Sequence, residues 1–185
     1  MALASWGLAI FRAVLQCTTV VSLEAVMGKN KVKVLFVCHG NICRSPMAEF
    51  LFKQYVKEQG TQNQFEIASA ATSQEEIGNP VYPPARKLLL AHGIDPKGKT
   101  ARQVTKRDLD YYDFIIVMDN NNVRNMYRLF GDECEDKVHK LLDFSTRMGC
   151  DIADPWYTDD FETTYRDIME GIAAFYQTLQ ENDMV

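Results

Sequence analysis

What the chain lacks narrows its class before any motif is read. No internal repeat or low-complexity tract runs through its 185 residues, so it is not a repeat array. Basic residues do not dominate. There are 20 lysines and arginines against 25 aspartates and glutamates, and a net charge of −5 gives no reason to expect nucleic acid or an anionic membrane as partner. Cysteine is scarce and odd in number. With two of the five inside one short loop, the pattern suggests a reducing cytosol, hence a cytoplasmic protein, more than a disulfide framework. A zinc knuckle is missing too. Cys134 and Cys150 have fifteen residues between them and no paired histidine, so Cys38 and Cys43 find no second half-site and no metal is expected. Long uninterrupted apolar runs are also absent. Leu3 to Val26 is mostly apolar but carries Arg12 and Glu24, lacks a basic start and has no clean small-x-small cleavage site. A charge in its middle disfavours a spanning helix.

What is present centres on Val34 to Pro46, VLFVCHGNICRSP, in which Arg44 follows Cys38 by six positions. Val32 to Val37 is an apolar run flanked by polar residues, as expected for a strand buried on both faces of a parallel sheet. A helix is expected to start at once after the loop, with Ser45 as N-cap and Pro46 at the first helical position, where its missing N–H costs nothing. Between strand and helix, Gly40 and Asn41 are the residue types that most easily adopt the positive φ needed to fold a loop back on itself. Such a loop turns successive backbone N–H groups inward at the positive end of a helix, a nest for a tetrahedral dianion. Arg44 adds a planar fork for two of its oxygens. Cys38 then sits where the phosphorus would be, and the field that attracts phosphate favours its thiolate. That combination reads as a covalent phosphatase site, with inert buried thiols as the bland alternative.

A second constellation lies far along the chain. Asp154, Pro155, Trp156 and Tyr157 form a DPWY segment in a turn-rich region after Gly149. A phosphotyrosine leaving group departs as a phenolate of pKa about 10, so a carboxylic acid that protonates it in the transition state accelerates the step. Asp154 on a proline-stiffened loop suits that part, although Asp-Pro alone is a common turn.

With both segments in view, the chain resembles the low-molecular-weight protein tyrosine phosphatases. The resemblance rests on the CxGNxCRSP loop at Cys38 to Pro46, SAATS at Ser69 to Ser73, ARQ at Ala101 to Gln103 and the DP-aromatic-aromatic loop at Asp154 to Tyr157, in the family's order, from about Val32 to Glu181. It implies Cys38 as nucleophile, Arg44 as phosphate clamp and Asp154 as general acid, then as the base that activates water. His39, Gly40, Asn41, Ile42, Cys43 and Arg44 would hold the phosphate, or a sulfate. Ser45 would hydrogen-bond the Cys38 sulfur and Asn41 would keep the loop in its left-handed turn. Cys43 would be the second loop cysteine, able to form a reversible disulfide with the nucleophile, or else simple packing beneath the loop. The implied substrate is a phosphotyrosine-containing protein or a small aryl phosphate, with no cofactor, and the implied state is a monomer or weak dimer. The same resemblance starts the domain at Lys31. Residues 1–30 are then expected to be an extension outside the fold, an upstream read-through ahead of a start at Met27, with a signal or membrane anchor and an extra packed helix as competing readings.

One position departs from the family pattern. Family members often place an aromatic on the cleft wall two residues beyond the SAATS segment, and here that residue is Glu75. The wall should be more acidic and less able to stack on a phenol, with Trp156 and Tyr157 left as the opposite wall. Three other readings compete. A thiol-dependent arsenate reductase shares the fold, but the spacing of Cys134 and Cys150 does not resemble its redox pair. A protein-arginine phosphatase is argued against by Ile42, where that branch usually has threonine. Finally, Gly93 to Thr100, GIDPKGKT, matches the nucleotide-binding pattern GxxxxGK followed by serine or threonine, and FIIVMD at Phe114 to Asp119 resembles its companion strand. That pattern needs a strand before it and a helix after it. ARKLLLAH reads better as a helix, and a phosphatase should be indifferent to substitution of Lys99. Asp119 is left as either a strand-end turn or a support at the rim of the cleft.

The rest predicts one α/β domain, three-layered and doubly wound, with a four-stranded parallel sheet and helices on both faces. From Val32 onward 154 residues remain, enough for one core and too few for two. Helices are expected over Pro46 to Glu58, Pro84 to His92 and Asn120 to Phe130, with a final helix carrying Phe161, Tyr165, Ile168, Ile172, Phe175 or Tyr176, and Leu179 inward. Ser145 to Met148 reads as a turn. Strands are expected at Phe65 to Ala70, Phe114 to Met118 and Val138 to Leu141. In such sheets ligands bind beyond the carboxyl ends of the strands, where the Cys38 loop lies.

Overall fold

The computed structural model describes residues 31–185; the expectations for residues 1–30 and for a start at Met27 fall outside the described residues. Its sheet has strands β1 (Val32–Cys38), β2 (Phe65–Ala71), β3 (Phe114–Val117) and β4 (Val138–Lys140) in the order β2-β1-β3-β4, every pair parallel. Alternation along β1 explains why both faces are covered. Val34 and Phe36 join Ile116 in one buried cluster with residues of α1 (Arg44–Glu58), α2 (Pro83–Ala91) and α6 (Phe161–Glu181). Leu35 and Val37 point the other way, into a cluster with Leu109 of α3 (Lys106–Tyr111), Met126 of α4 (Asn120–Phe130) and Cys134. The result is the three-layer, doubly wound arrangement expected.

Phe52 centres the first layer. Its ring meets Phe36 at 5.8 Å, Phe65 at 5.2 Å and Phe175 at 5.7 Å, so α1, the strands β1 and β2, and α6 converge on one side chain. On α6 the face is wider than the sequence pattern required: Phe175 and Tyr176 are both buried. Gly171 sits in mid-helix against Leu141, and a Cβ there would lie 2.5 Å from Leu141 Cγ. No helix among the described residues is long and apolar enough to cross a membrane.

Several local expectations need correction. Helix α1 begins at Arg44, with Cys43 as its N-cap and no side-chain capping bond, so Ser45 is not the cap and Pro46 is not the first helical residue. The Ser45 hydroxyl is occupied by the Cys38 sulfur instead. Asn41 takes positive φ, at 59°, but Gly40 does not. Gly40 instead lies close to Glu76: an added Cβ would be 3.1 Å from Glu76 Cγ, so that side chain would have to give by a few tenths of an ångström. Helix α3 was not anticipated. Its signal was local, since Thr105 and Asp108 form a capping box. The nucleotide-binding reading of Gly93 to Thr100 fails on context. Helix α2 precedes it rather than a strand, Gly93 ends that helix at φ +75°, and Thr100 leads into a bridge with Pro80 rather than a helix.

Candidate active site

Strand β1 ends at Cys38 and helix α1 begins at Arg44, so five residues, 39–43, form the turn between them. Carbonyl groups of this segment are tied away from its inside: Thr72 N donates to Cys38 O at 2.9 Å, Ser73 N to His39 O at 3.0 Å and Tyr82 N to Ile42 O at 2.9 Å. Cys38, His39, Gly40, Ile42, Cys43 and Arg44 line a cavity of about 160 Å³ together with Glu75, Glu76, Asp154, Trp156 and Tyr157. Asn41 lies beneath rather than on the lining, and is buried.

Arg44 is the electrostatic centre. Its side chain is only 2% exposed. One terminal nitrogen donates to Asp119 Oδ2 at 2.5 Å and to the Ile152 carbonyl at 3.0 Å, and the other to Asp154 Oδ2 at 2.6 Å. Burial works against its charge, but Cys38, Asp154 and Asp119 outweigh that and hold the guanidinium above its ordinary value. Its Nε is the one buried side-chain polar atom among the described residues with no hydrogen-bond partner. An unpaired buried donor costs about 1–3 kcal/mol, so it calls for an acceptor in the cavity.

Asp154 and Asp119 each use their two oxygens for two purposes. Asp154 Oδ1 accepts from Trp156 N at 3.1 Å, capping the short helix α5 (Pro155–Thr158). Asp119 Oδ1 accepts from Asn122 N at 2.7 Å, capping α4. The two readings of Asp119 therefore coincide, because the strand-end turn is what aims its second oxygen at Arg44. Ile152 anchors the Asp154 segment to the end of β3 by donating to the Met118 carbonyl at 2.8 Å. Trp156 leans on Tyr82 at 4.9 Å, whereas Tyr157 is 84% exposed.

Comparison with known proteins agrees with this geometry. The sequence model described as low molecular weight phosphotyrosine protein phosphatase matches residues 33–185. A Gallus gallus protein named low molecular weight phosphotyrosine protein phosphatase is 40% identical over 156 residues, 82% of this chain and 98% of its own length. A Bacillus subtilis protein named low molecular weight protein-tyrosine-phosphatase YfkJ is 36% identical over 151 residues, 81% of this chain and 97% of its own. The crystal structure of YfkJ superposes with a TM-score of 0.80 at 35% identity, covering 84% of this chain and 98% of that one. A protein tyrosine phosphatase from Entamoeba histolytica, solved with Hepes in its active site, gives 0.75 at 27% identity over 83% and 99%. The chain belongs to the low molecular weight phosphotyrosine protein phosphatase family.

In this phosphatase-family chain a buried polar relay runs beneath the loop, and sequence reasoning missed its far end. Ser45 Oγ lies 3.0 Å from Cys38 Sγ, and Asn41 Nδ2 donates to Ser45 Oγ and to Ser69 Oγ, each at 2.8 Å. Ser69 donates in turn to Glu49 Oε2 at 2.6 Å, and Lys99 Nζ closes the chain at 3.2 Å from that oxygen and 3.0 Å from the Ser69 carbonyl. Burial pushes the Glu49 carboxyl up, but Lys99, Lys53 and the bonds from Lys53 and Ser69 prevail and hold it below the usual carboxylate value. Lys99 therefore cannot discriminate between a phosphatase and a nucleotide-binding protein, because it is wired to the loop. Its position inside a nucleotide-binding pattern concealed this.

The remaining thiols differ. Burial and the neighbouring Cys38 raise the Cys43 thiol far above its ordinary value. Cys134 is buried and Cys150 exposed, and neither lines the Cys38 cavity. Glu75 does line it, and its Oε2 lies 3.0 Å from His39 Nε2.

Proposed function

We propose that this protein hydrolyses phosphotyrosine and related aryl phosphates through a phosphocysteine intermediate, within a domain spanning residues 31–185. The observation that carries the reading is the buried Arg44 whose Nε has no partner, set in the same cavity as Cys38 and Asp154. A phosphate oxygen is the acceptor that Nε requires, with the amides of His39, Gly40, Asn41, Ile42 and Cys43 as further donors for the dianion.

In the first step the Cys38 thiolate attacks phosphorus as the P–O bond to the aryl group breaks. Protonated Asp154 gives its proton to the departing oxygen, so the alcohol leaves neutral. In the second step Asp154, now a carboxylate, takes a proton from water, whose oxygen attacks phosphorus and displaces the sulfur. The Ser45 hydroxyl at 3.0 Å stabilises the thiolate that leaves. Charge developing on the transferred group is met by the Arg44 fork and the loop amides. Trp156 and Tyr157 supply an aromatic surface for the phenyl ring, and Glu75 adds negative charge to the lining where an aromatic would stack.

The test is direct. Cys38→Ser should abolish turnover of aryl phosphates while leaving phosphate binding nearly intact, and a chelator should leave the wild-type rate unchanged. Full activity of that variant, or loss of wild-type activity with a chelator, would sink the mechanism.

A further inference from the structure

A second and larger cavity, of about 680 Å³, adjoins the Cys38 cavity and shares His39, Arg44, Asp154 and Tyr157 with it. Its remaining lining comes mainly from α4, including Asn121, Arg124, Asn125 and Arg128. Three carboxylates also face it, Asp119, Asp151 and Asp154. Each of these already has a cation: Asp119 and Asp154 hold Arg44, and Asp151 holds Lys140 at 2.9 Å. Arg124 and Arg128 are different. Both are exposed, their side-chain hydrogen bonds go to the neutral amides of Asn121 and Asn125, and neither has a carboxylate partner among the described residues. At a spacing of four they fall on one side of α4.

Charge is therefore segregated between the two cavities. Glu75 and Glu76 line the Cys38 cavity only, and the two unneutralised arginines line its neighbour only. Because the two cavities share His39, Arg44, Asp154 and Tyr157, the second lies beside any group that fills the first.

Resting on the reading of the site as a phosphotyrosine phosphatase, we propose that the Arg124 and Arg128 cavity is a substrate subsite. It receives the carboxylate of an aspartate or glutamate close in sequence to the phosphotyrosine, and so sets both the preference and the direction of the bound peptide. The contacts lie away from the reacting phosphorus, so they act on binding rather than on the chemical step. Exposed pairs are individually weak and screened by salt.

The test compares three phosphotyrosine peptides that carry acidic, neutral or basic residues beside the phosphotyrosine, with para-nitrophenyl phosphate as a substrate too small to reach the subsite. The acidic peptide should be favoured over the basic one by about tenfold in kcat/KM at low salt, mostly through KM, and the preference should shrink in high salt. Arg124→Glu with Arg128→Glu should reverse the order of the peptides and leave kcat and KM for para-nitrophenyl phosphate unchanged, a reversal that a merely structural role would not produce. Equal use of acidic and neutral peptides by the wild type, or an equal loss on all four substrates in the double variant, would overturn the subsite. Failure to hydrolyse any aryl phosphate would instead overturn the phosphatase reading beneath it.

Discussion

Asp154 binds Arg44 through one oxygen and the Trp156 amide through the other, so the acid role proposed for it is separable from its structural one. Asp154→Asn keeps a carbonyl oxygen for the cap but cannot supply a proton. It should slow hydrolysis of esters with basic leaving groups by about 10²–10⁴-fold and that of activated esters far less, measured across a series of substituted phenyl phosphates. Equal losses across the series would remove Asp154 from that role. Cys43 makes a different case. It shares the cavity lining with Cys38, and its thiol is held protonated by burial and by its neighbour. A Cys38 sulfenic acid formed by peroxide would condense with that thiol, releasing water and forming a disulfide before further oxidation. Mild peroxide should thus inactivate the wild type reversibly, whereas Cys43→Ser should keep much of its basal rate and lose it irreversibly. Peptide mapping that finds no Cys38 to Cys43 linkage in the oxidised protein would count against this.

At the level of elements, α6 and α1 show how packing overrides local preference. Glycine in a helix interior is about 1 kcal/mol worse than alanine, so Gly171→Ala ought to stabilise α6 taken alone. In the folded protein the new methyl would meet Leu141 Cγ at 2.5 Å and the Leu141 carbonyl at 3.0 Å. The substitution should therefore destabilise by about 1–3 kcal/mol, read from denaturant midpoints, with an unchanged or higher midpoint contradicting the close approach. Helix α1 carries Glu49 to the relay beneath the loop, and this makes a pH dependence. A carboxyl held lower in the folded state than in the unfolded chain adds stability at pH above its unfolded value of about 4.3, and that increment is lost as pH falls through the folded value. The stability gap between the wild type and Glu49→Gln should accordingly be present at neutral pH and close in acid. A gap independent of pH would show that Glu49 acts by shape rather than charge.

For the whole molecule, the loop joins the first strand, the first helix, the β3 end and the Asp154 segment, so filling it should stabilise the fold as a unit. Inorganic phosphate at a hundred times its dissociation constant should add about 2.7 kcal/mol, several degrees in melting temperature, and Arg44→Met should abolish most of that gain. Much of this architecture was legible beforehand for definite reasons. Buried parallel strands must be apolar runs, which exposed Val32 to Val37 and Phe114 to Met118, the latter one residue longer than the observed β3, and the tight turn and DPWY segment are local chemistry that one reading of adjacent residues reveals. Helix α4 was read to its observed ends, and in the structure Asp119 and Gly131 cap it. What the sequence could not decide were choices between partners distant along the chain. Ser45 has the identity of a helix cap, but in the fold its hydroxyl meets the Cys38 sulfur at 3.0 Å and the Asn41 amide at 2.8 Å instead. Gly40 looked like a residue needed for positive φ, but that conformation falls on Asn41 alone, while Glu76 comes close to Gly40 in the fold. Lys99 was expected to be a loop residue to which a phosphatase is indifferent, and it ends a relay reaching Cys38, since only folding brings residues 99, 49, 69 and 41 together. Composition and short-range pattern determined most of the elements and the Cys38 loop, while the pairing of buried charges and hydroxyls was decided by tertiary packing, because a polar group out of water takes whichever partner the fold brings within reach.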